Sequence, residues 1–132
     1  MADRDAFLRT IDEGYAQRMA GNKDAMRRIF APDAQFRIAG DPTLIPGVAA
    51  SAGSAAPTVE ALMDDFEFHD MERLDTIVEG DKAAVYSRVT LSYRGGHKVT
   101  TELYDLWTID QDGRVTSMLQ FADTALVARL TA

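Results

Sequence analysis

The sequence predicts an α+β domain in which a curved antiparallel sheet packs against three helices and encloses a mostly apolar pocket. Apolar residues recur at helical intervals through the first part of the chain, and four β-rich runs separated by turn signals fill the second half. The length of 132 residues, with 46% apolar and 27% charged residues, suits one hydrophobic core and argues against disorder, coiled coil or a fibrous chain. One domain spanning 1–132 is therefore expected.

Residues 3–20 place Phe7, Leu8, Ile11, Tyr15 and Met19 three and four apart, on one helical stripe. Asp3 suits the N-cap, and Gly21-Asn22 is a stop signal. A short second helix over 23–30 turns Met26, Ile29 and Phe30 inward, and Pro32 ends it. Polar and apolar residues alternate over 34–38, which reads as a first strand. The segment 39–56 is mainly Ala, Gly, Ser and Pro, with Asp41-Pro42 and Pro46-Gly47 as turn dipeptides. It is expected to rim the pocket mouth and to move more than the sheet, and a plain surface loop is the other reading. A third helix beginning near Pro57 carries Val59, Leu62, Met63 and Phe66 on one face. Runs 71–78, 83–93, 99–109 and 115–121 then form an antiparallel meander. Its turns are Glu79-Gly80-Asp81, Arg94-Gly95-Gly96-His97 and Asp110-Gln111-Asp112-Gly113. A last helix over 124–130 closes the chain.

The formal net charge of −7 surrounds the molecule with a field that repels phosphate backbones and anionic lipid, so neither nucleic acid nor a membrane is an expected partner. The absence of cysteine removes disulfides, thiolate zinc sites and cysteine nucleophiles together. No run reaches the roughly 20 apolar residues of a membrane span, and the first residues do not read as a signal peptide. A cytoplasmic protein is expected. His69 and His97 are the only histidines and share no face, so no metal site is expected. No phosphate-cradling glycine loop or nucleophile elbow occurs, and no cofactor is expected.

The order helix, helix, strand, loop, helix and four long strands resembles the cone-shaped, cystatin-like folds related to nuclear transport factor 2. Tyr104-Asp105-Leu106-Trp107-Thr108-Ile109-Asp110-Gln111-Asp112-Gly113-Arg114-Val115, followed by Phe121-Ala122-Asp123, resembles a hairpin of SnoaL-like, polyketide cyclase-like and ketosteroid isomerase-related proteins. Residues 21–34 resemble their second helix leading into strand one. The likeness covers nearly the whole chain and is specific for the superfamily rather than for an activity.

Aligned on Asp105 and Gly113, Glu102 falls where the isomerase resemblance implies a protonated acid that donates to an enolate-like oxygen. Tyr15 lies within one position of the catalytic tyrosine that the same resemblance implies. Ile38 takes the place of the general-base aspartate, and Asp41 follows three residues later. The chain is similar to limonene epoxide hydrolases at Asp123, but Phe36 and Ile38 stand where their strand-one tyrosine and asparagine would be. Their arginine and second aspartate would fall around Arg88 to Leu91, which supplies no second carboxylate.

Each candidate has two readings. Glu102 shares a strand face with Tyr104 and Leu106: turned inward, it is a buried donor beside Tyr104, and turned outward, it is a solvated partner of a cross-strand Arg or Lys. Asp123 is an N-cap for the last helix or a general acid or base. Tyr15 is a core aromatic or a functional hydroxyl, and His69 a strand residue or a cavity-facing group. Tyr104, Gln120, Met118, Phe36, Ile38 and His69 are expected to line the pocket. Asp105 has the parity opposite to Glu102 and is placed on the convex face. Leu103, Trp107, Leu119 and Phe121 are assigned to that face as the patch of a homodimer. The function expected is cofactor-free general acid-base chemistry on an apolar, carbonyl-bearing small molecule, of isomerase, cyclase or dehydratase type, with a non-catalytic ligand-binding or assembly module as the rival.

Overall fold

The computed structural model describes residues 3–41, 43–45, 48 and 53–132. Helix α1 (Arg4–Ala20) starts at Asp3, whose carboxylate accepts from the Asp5 N–H, and ends at Gly21 in the left-handed region with φ 71°. Asn22 caps α2 (Lys23–Ile29) by accepting from Ala25 N–H. Strand β1 (Phe30–Ile38) follows without a loop. It starts four residues earlier than its alternation suggested and carries Pro32, tolerable because β1 is an edge strand.

Helix α3 (Ala55–Asp65) begins two residues before Pro57 and runs directly into β2 (Phe66–Glu79), which is five residues longer at its start than expected. Strands β3 (Lys82–Tyr93), β4 (Val99–Ile109) and β5 (Val115–Phe121) continue the meander, and α4 (Thr124–Thr131) ends the chain. Within the 39–56 segment, positions 42, 46, 47 and 49–52 lie outside the described residues. Within it, Ile45 and Val48 are buried in the core, so the segment is less poor in packing groups than its composition implies.

The sheet order is β1-β5-β4-β3-β2. The pairs β2–β3, β3–β4 and β4–β5 are antiparallel, but β1 lies parallel to β5, with Phe36 opposite Met118 and Ile38 opposite Gln120. The sheet is therefore mixed and open, because the intervening helices carry the chain to the far edge instead of back along a hairpin. Bulges between Phe68 and Asp70 and between Arg73 and Asp75 add local twist to β2 and help bend it.

The core lies between the helices and the inner sheet face. Val85, Val89, Leu103, Trp107 and Met118 from the sheet meet Phe7 and Ile11 of α1 and Val59 and Leu62 of α3. One position settles how closely α1 approaches: a Cβ on Gly14 would lie 2.9 Å from Trp107 Cη2, so only glycine lets the indole reach the helix.

Candidate active site

A cavity opens between the inner sheet face and helices α1, α3 and α4. The room it leaves for the centres of water-sized molecules is about 80 Å³, and the empty space including open solvent at its mouth is about 840 Å³. Its wall is largely apolar: Phe36 and Ile38 come from β1, Met118 from β5, Val59 and Leu62 from α3 and Leu126 from α4. Six polar side chains interrupt that wall, namely Tyr15, Arg18, Thr101, Asp105, Gln120 and Asp123.

Asp105 is the centre of the arrangement. It sits on β4 between Leu103 and Trp107 in side-chain parity, only 1% exposed. Tyr15 Oη donates to Asp105 Oδ2 at 2.6 Å, and Gln120 Nε2 donates to Oδ1 at 3.0 Å from the directly paired position on β5. Trp107 Nε1 donates in turn to Tyr15 Oη at 3.1 Å, with the two rings edge to face. Both carboxylate oxygens thus accept, the pattern of an ionised acid. Burial raises the Asp105 pKa to about 6, with the Tyr15 and Gln120 hydrogen bonds pulling the other way. Burial, followed by the neighbouring Asp105 charge, pushes the Tyr15 phenol well above its ordinary value and keeps it a neutral donor. The result is one carboxylate in an apolar cavity, poised near neutrality and held by two donors.

Two further groups reach the cavity. Asp123 lines it near α4, while its Oδ1 accepts from Leu126 N–H at 3.0 Å, so its N-cap geometry and its place in the wall coexist. Arg18 enters from α1, where its guanidinium donates to the Phe66 and Leu62 carbonyls and lies over the Phe68 ring. Among the described residues no group of three side chains assembles that could hold a metal ion.

The structure reverses the parity expected for β4. Glu102 is solvent-exposed on the outer face, where its carboxylate accepts from Tyr86 Oη at 2.6 Å and from Arg88 Nη2 at 3.4 Å across the strand pair. Those hydrogen bonds, Tyr86 first, lower its pKa; it is not a buried, protonated donor. Tyr104, 42% exposed, stacks on Tyr86 outside the sheet and does not line the cavity. Leu103 and Trp107 belong to the core rather than to a convex patch, and Asp105 is buried inside rather than placed on the convex face. Leu119 and Phe121 do lie outside, opposite Leu106 and Tyr104 and thus on the same face as Glu102.

His69 is absent from the cavity wall as well. The bulge in β2 turns it to Ser92, with Nε2 and Oγ 2.7 Å apart, and its Nδ1 lies 3.0 Å from Glu67 Oε2. Although that is the order of a Ser-His-acid relay, Ser92 is 3% exposed and lines none of the described cavities. Tyr15, Gln120, Met118, Phe36, Ile38 and Asp123 do converge on the cavity. The acid at its centre is Asp105, which the sequence reading turned outward. Its signal was present: Asp105 shares strand parity with Leu103 and with Trp107, the only tryptophan.

The family model described as a SnoaL-like domain matches residues 6–118. No curated protein matches the chain. Among solved structures, a protein from Rhodopseudomonas palustris provisionally named an isomerase superposes with a TM-score of 0.74 at 15% identity, covering 100% of both chains. An NTF2-like protein from Burkholderia pseudomallei superposes with a TM-score of 0.74 at 16% identity over 98% of each chain. An LEH-like epoxide hydrolase from M. tuberculosis gives 0.71 at 15% identity, covering 96% of this chain and 90% of that one. At these identities the likeness is one of fold.

Proposed function

The chain belongs to the SnoaL-like family, and from that membership and the cavity we propose a small-molecule enzyme that works by cofactor-free general acid-base chemistry on an apolar, carbonyl-bearing ligand. The observation that carries the proposal is the buried Asp105 carboxylate, with Tyr15 and Gln120 at hydrogen-bond distance in a mostly apolar wall.

In this reading Asp105 is the general base. With a pKa near 6 it is mostly ionised at neutral pH, yet basic enough to take a proton from a carbon next to a carbonyl. The C–H electron pair moves into the C–C bond and the carbonyl π pair onto oxygen. The proton on Asp105 then returns to the same or a conjugated carbon, completing an exchange or an isomerisation without an outside reagent. Tyr15 and Gln120 are positioning residues: they fix the carboxylate plane and stabilise its charge, and Trp107 fixes the tyrosine hydroxyl. The mostly apolar wall lowers the local dielectric around Asp105, which strengthens these contacts and suits a weakly polar substrate. The isomerase-type resemblance supports this class, but with a different division of roles: it cast Glu102 as a protonated donor and left Ile38 in the place of the base, a part taken here by Asp105 on β4.

The working form proposed is a cytoplasmic homodimer joined through the outer sheet face, where Tyr104 and Phe121 are exposed side by side with Leu106 and Leu119.

Hydrogen exchange at the α-carbon of benzylacetone in deuterated buffer, followed by NMR, tests the chemistry. The expected outcome is exchange faster than buffer that falls by roughly a hundredfold in Asp105→Asn. A rate no greater than buffer, or one equal in Asp105→Asn, would leave the non-catalytic binding module in its place.

A further inference from the structure

Arg18 follows Tyr15 by three residues on α1, which puts both on the cavity side of the helix with a rise of about 4.5 Å between them. Its side chain is fixed from two directions. Nη2 donates to Phe66 O at 2.8 Å and to Leu62 O at 3.5 Å at the end of α3, and the guanidinium stacks on the Phe68 ring, 3.8 Å from its centroid. These contacts engage a single nitrogen. Nε and Nη1 have no acceptor, and no carboxylate lies within ion-pair distance of Arg18, among the described residues.

The nearby acids are already engaged. Arg18 also borders a hollow that adjoins the cavity and includes Asp64, Asp65 and Glu67. Asp64 pairs with Lys23, Asp65 with Arg94 and Glu67 with His69. Arg18 is thus a cation at an apolar wall, without a counter-ion, held in one orientation by carbonyl dipoles and an aromatic face. The residue as a whole is half-buried, and burial lowers its pKa to about 10. A cation in such surroundings is expensive to leave uncompensated, and an anion that reaches it forms a charge-assisted hydrogen bond in a low-dielectric site. The overall charge of −7 gives the molecule no general attraction for anions, so selectivity for one would rest on this local group.

We propose that Arg18 is the anion-recognition residue of the cavity and that the ligand is an apolar carboxylic acid, its carboxylate on Arg18 and its apolar body along the wall toward Asp105. The inference rests on the reading of the cavity as the ligand site, but not on Asp105 being a base.

Hydrocinnamate and its methyl ester are the probes, with affinity read from the emission of the lone tryptophan, Trp107, and by calorimetry. Wild type is expected to bind the acid about tenfold or more tighter than the ester, the size of one charge-assisted contact. Arg18→Gln is expected to abolish that preference, the acid losing about tenfold more affinity than the ester, and Arg18→Lys to retain part of it. Should Arg18→Gln not fold, the acid-ester comparison in wild type and in Arg18→Lys decides. Equal affinity for acid and ester in wild type, a preference that survives in Arg18→Gln, no binding of either probe, or tighter binding of a phenylalkyl phosphate than of the acid overturns the proposal. An acid preference that persists while Asp105→Asn leaves ketone exchange unchanged sinks only the catalytic reading. Ketone exchange without an acid preference sinks only this one.

Discussion

Tyr15 Oη and Asp105 Oδ2 meet at 2.6 Å, a helix residue and a strand residue separated by 90 positions. The contact joins the first element of the fold to the strand at the middle of the sheet. Tyr15→Phe removes the donor to Asp105 and the acceptor of Trp107 Nε1 in one step. The expected loss is about 1–3 kcal/mol in urea denaturation, the usual result of leaving buried polar groups unpaired. Because the tyrosine hydrogen bond holds the Asp105 pKa down, the variant should titrate above 6, visible as a shifted midpoint in the carboxyl carbon NMR signal.

Asp105 should set a characteristic pH dependence of stability. Its folded pKa, about 6, is raised above the unfolded value of 3.8, so the folded state binds more protons between those limits. Its favourable contribution is complete below the unfolded pKa and is lost as pH rises through the folded one. Asp105→Asn abolishes this dependence. The stability of the variant relative to wild type should therefore rise from pH 4 to pH 7, by an order of 3 kcal/mol at most. A flat difference across that range would mean that Asp105 is not a desolvated acid. Any turnover should show the opposite trend, appearing as Asp105 ionises near pH 6.

Glu102→Gln should alter neither ligand affinity nor exchange activity by more than about twofold, because Glu102 lies on the outer face with Tyr86 and Arg88. Kinetics of the variant beside Asp105→Asn separate the two acids of β4. A hundredfold loss in Glu102→Gln would mean that the outer face takes part in the chemistry.

Gly14→Ala would press a methyl group to 2.9 Å from Trp107 Cη2 and to 3.3 Å from Ile29 Cδ1. Movement of the indole would break the bond that fixes the Tyr15 hydroxyl. The expected cost is about 1–3 kcal/mol, as for other overpacked cores, with a changed emission maximum from Trp107. Retained stability and emission would show that α1 can move away freely.

The outer face gives a test of association. Tyr104→Lys combined with Phe121→Lys puts two like charges into facing positions of β4 and β5. If that face joins two copies, light scattering should show a dimer in wild type and a monomer in the variant. A monomeric wild type at micromolar concentration, or a dimer that survives both charges, would count against the sheet interface.

The helices and strands were legible because each carries its own period, and caps such as Asp3, Asn22 and Gly21 mark where the period stops. Alternation in β4 also showed which residues share a face. It did not show which face was buried, because both parities contain a carboxylate, an aromatic and a leucine: Leu103, Asp105 and Trp107 on one side, Glu102, Tyr104 and Leu106 on the other. Only pairing between strands settles that. Asp105 lies opposite Gln120 and Tyr104 opposite Phe121, facts of register that no single strand contains. The parallel pairing of β1 with β5 was hidden for the same reason. Arg18 escaped notice because a charged residue on an amphipathic helix reads as solvated until a neighbouring helix end supplies its carbonyls.

The parallel pairing of Phe36 with Met118 carries a kinetic consequence. During synthesis β2, β3 and β4 can zip together as successive hairpins, each needing only its immediate neighbour. The early-made β1 meets only an isolated bridge, Gln35 to Ser54, and has no strand partner until β5 has left the ribosome. Until then its apolar edge, with Phe36 and Ile38, is an unpaired strand in search of a mate, and Asp105 has no Gln120 beside it. Such long-range closure is slow and concentrates the risk of mispairing in one late step. The final strand therefore completes the fold and the polar cluster of the cavity at the same moment. A chain truncated before Val115 should yield an aggregating intermediate rather than a smaller pocket.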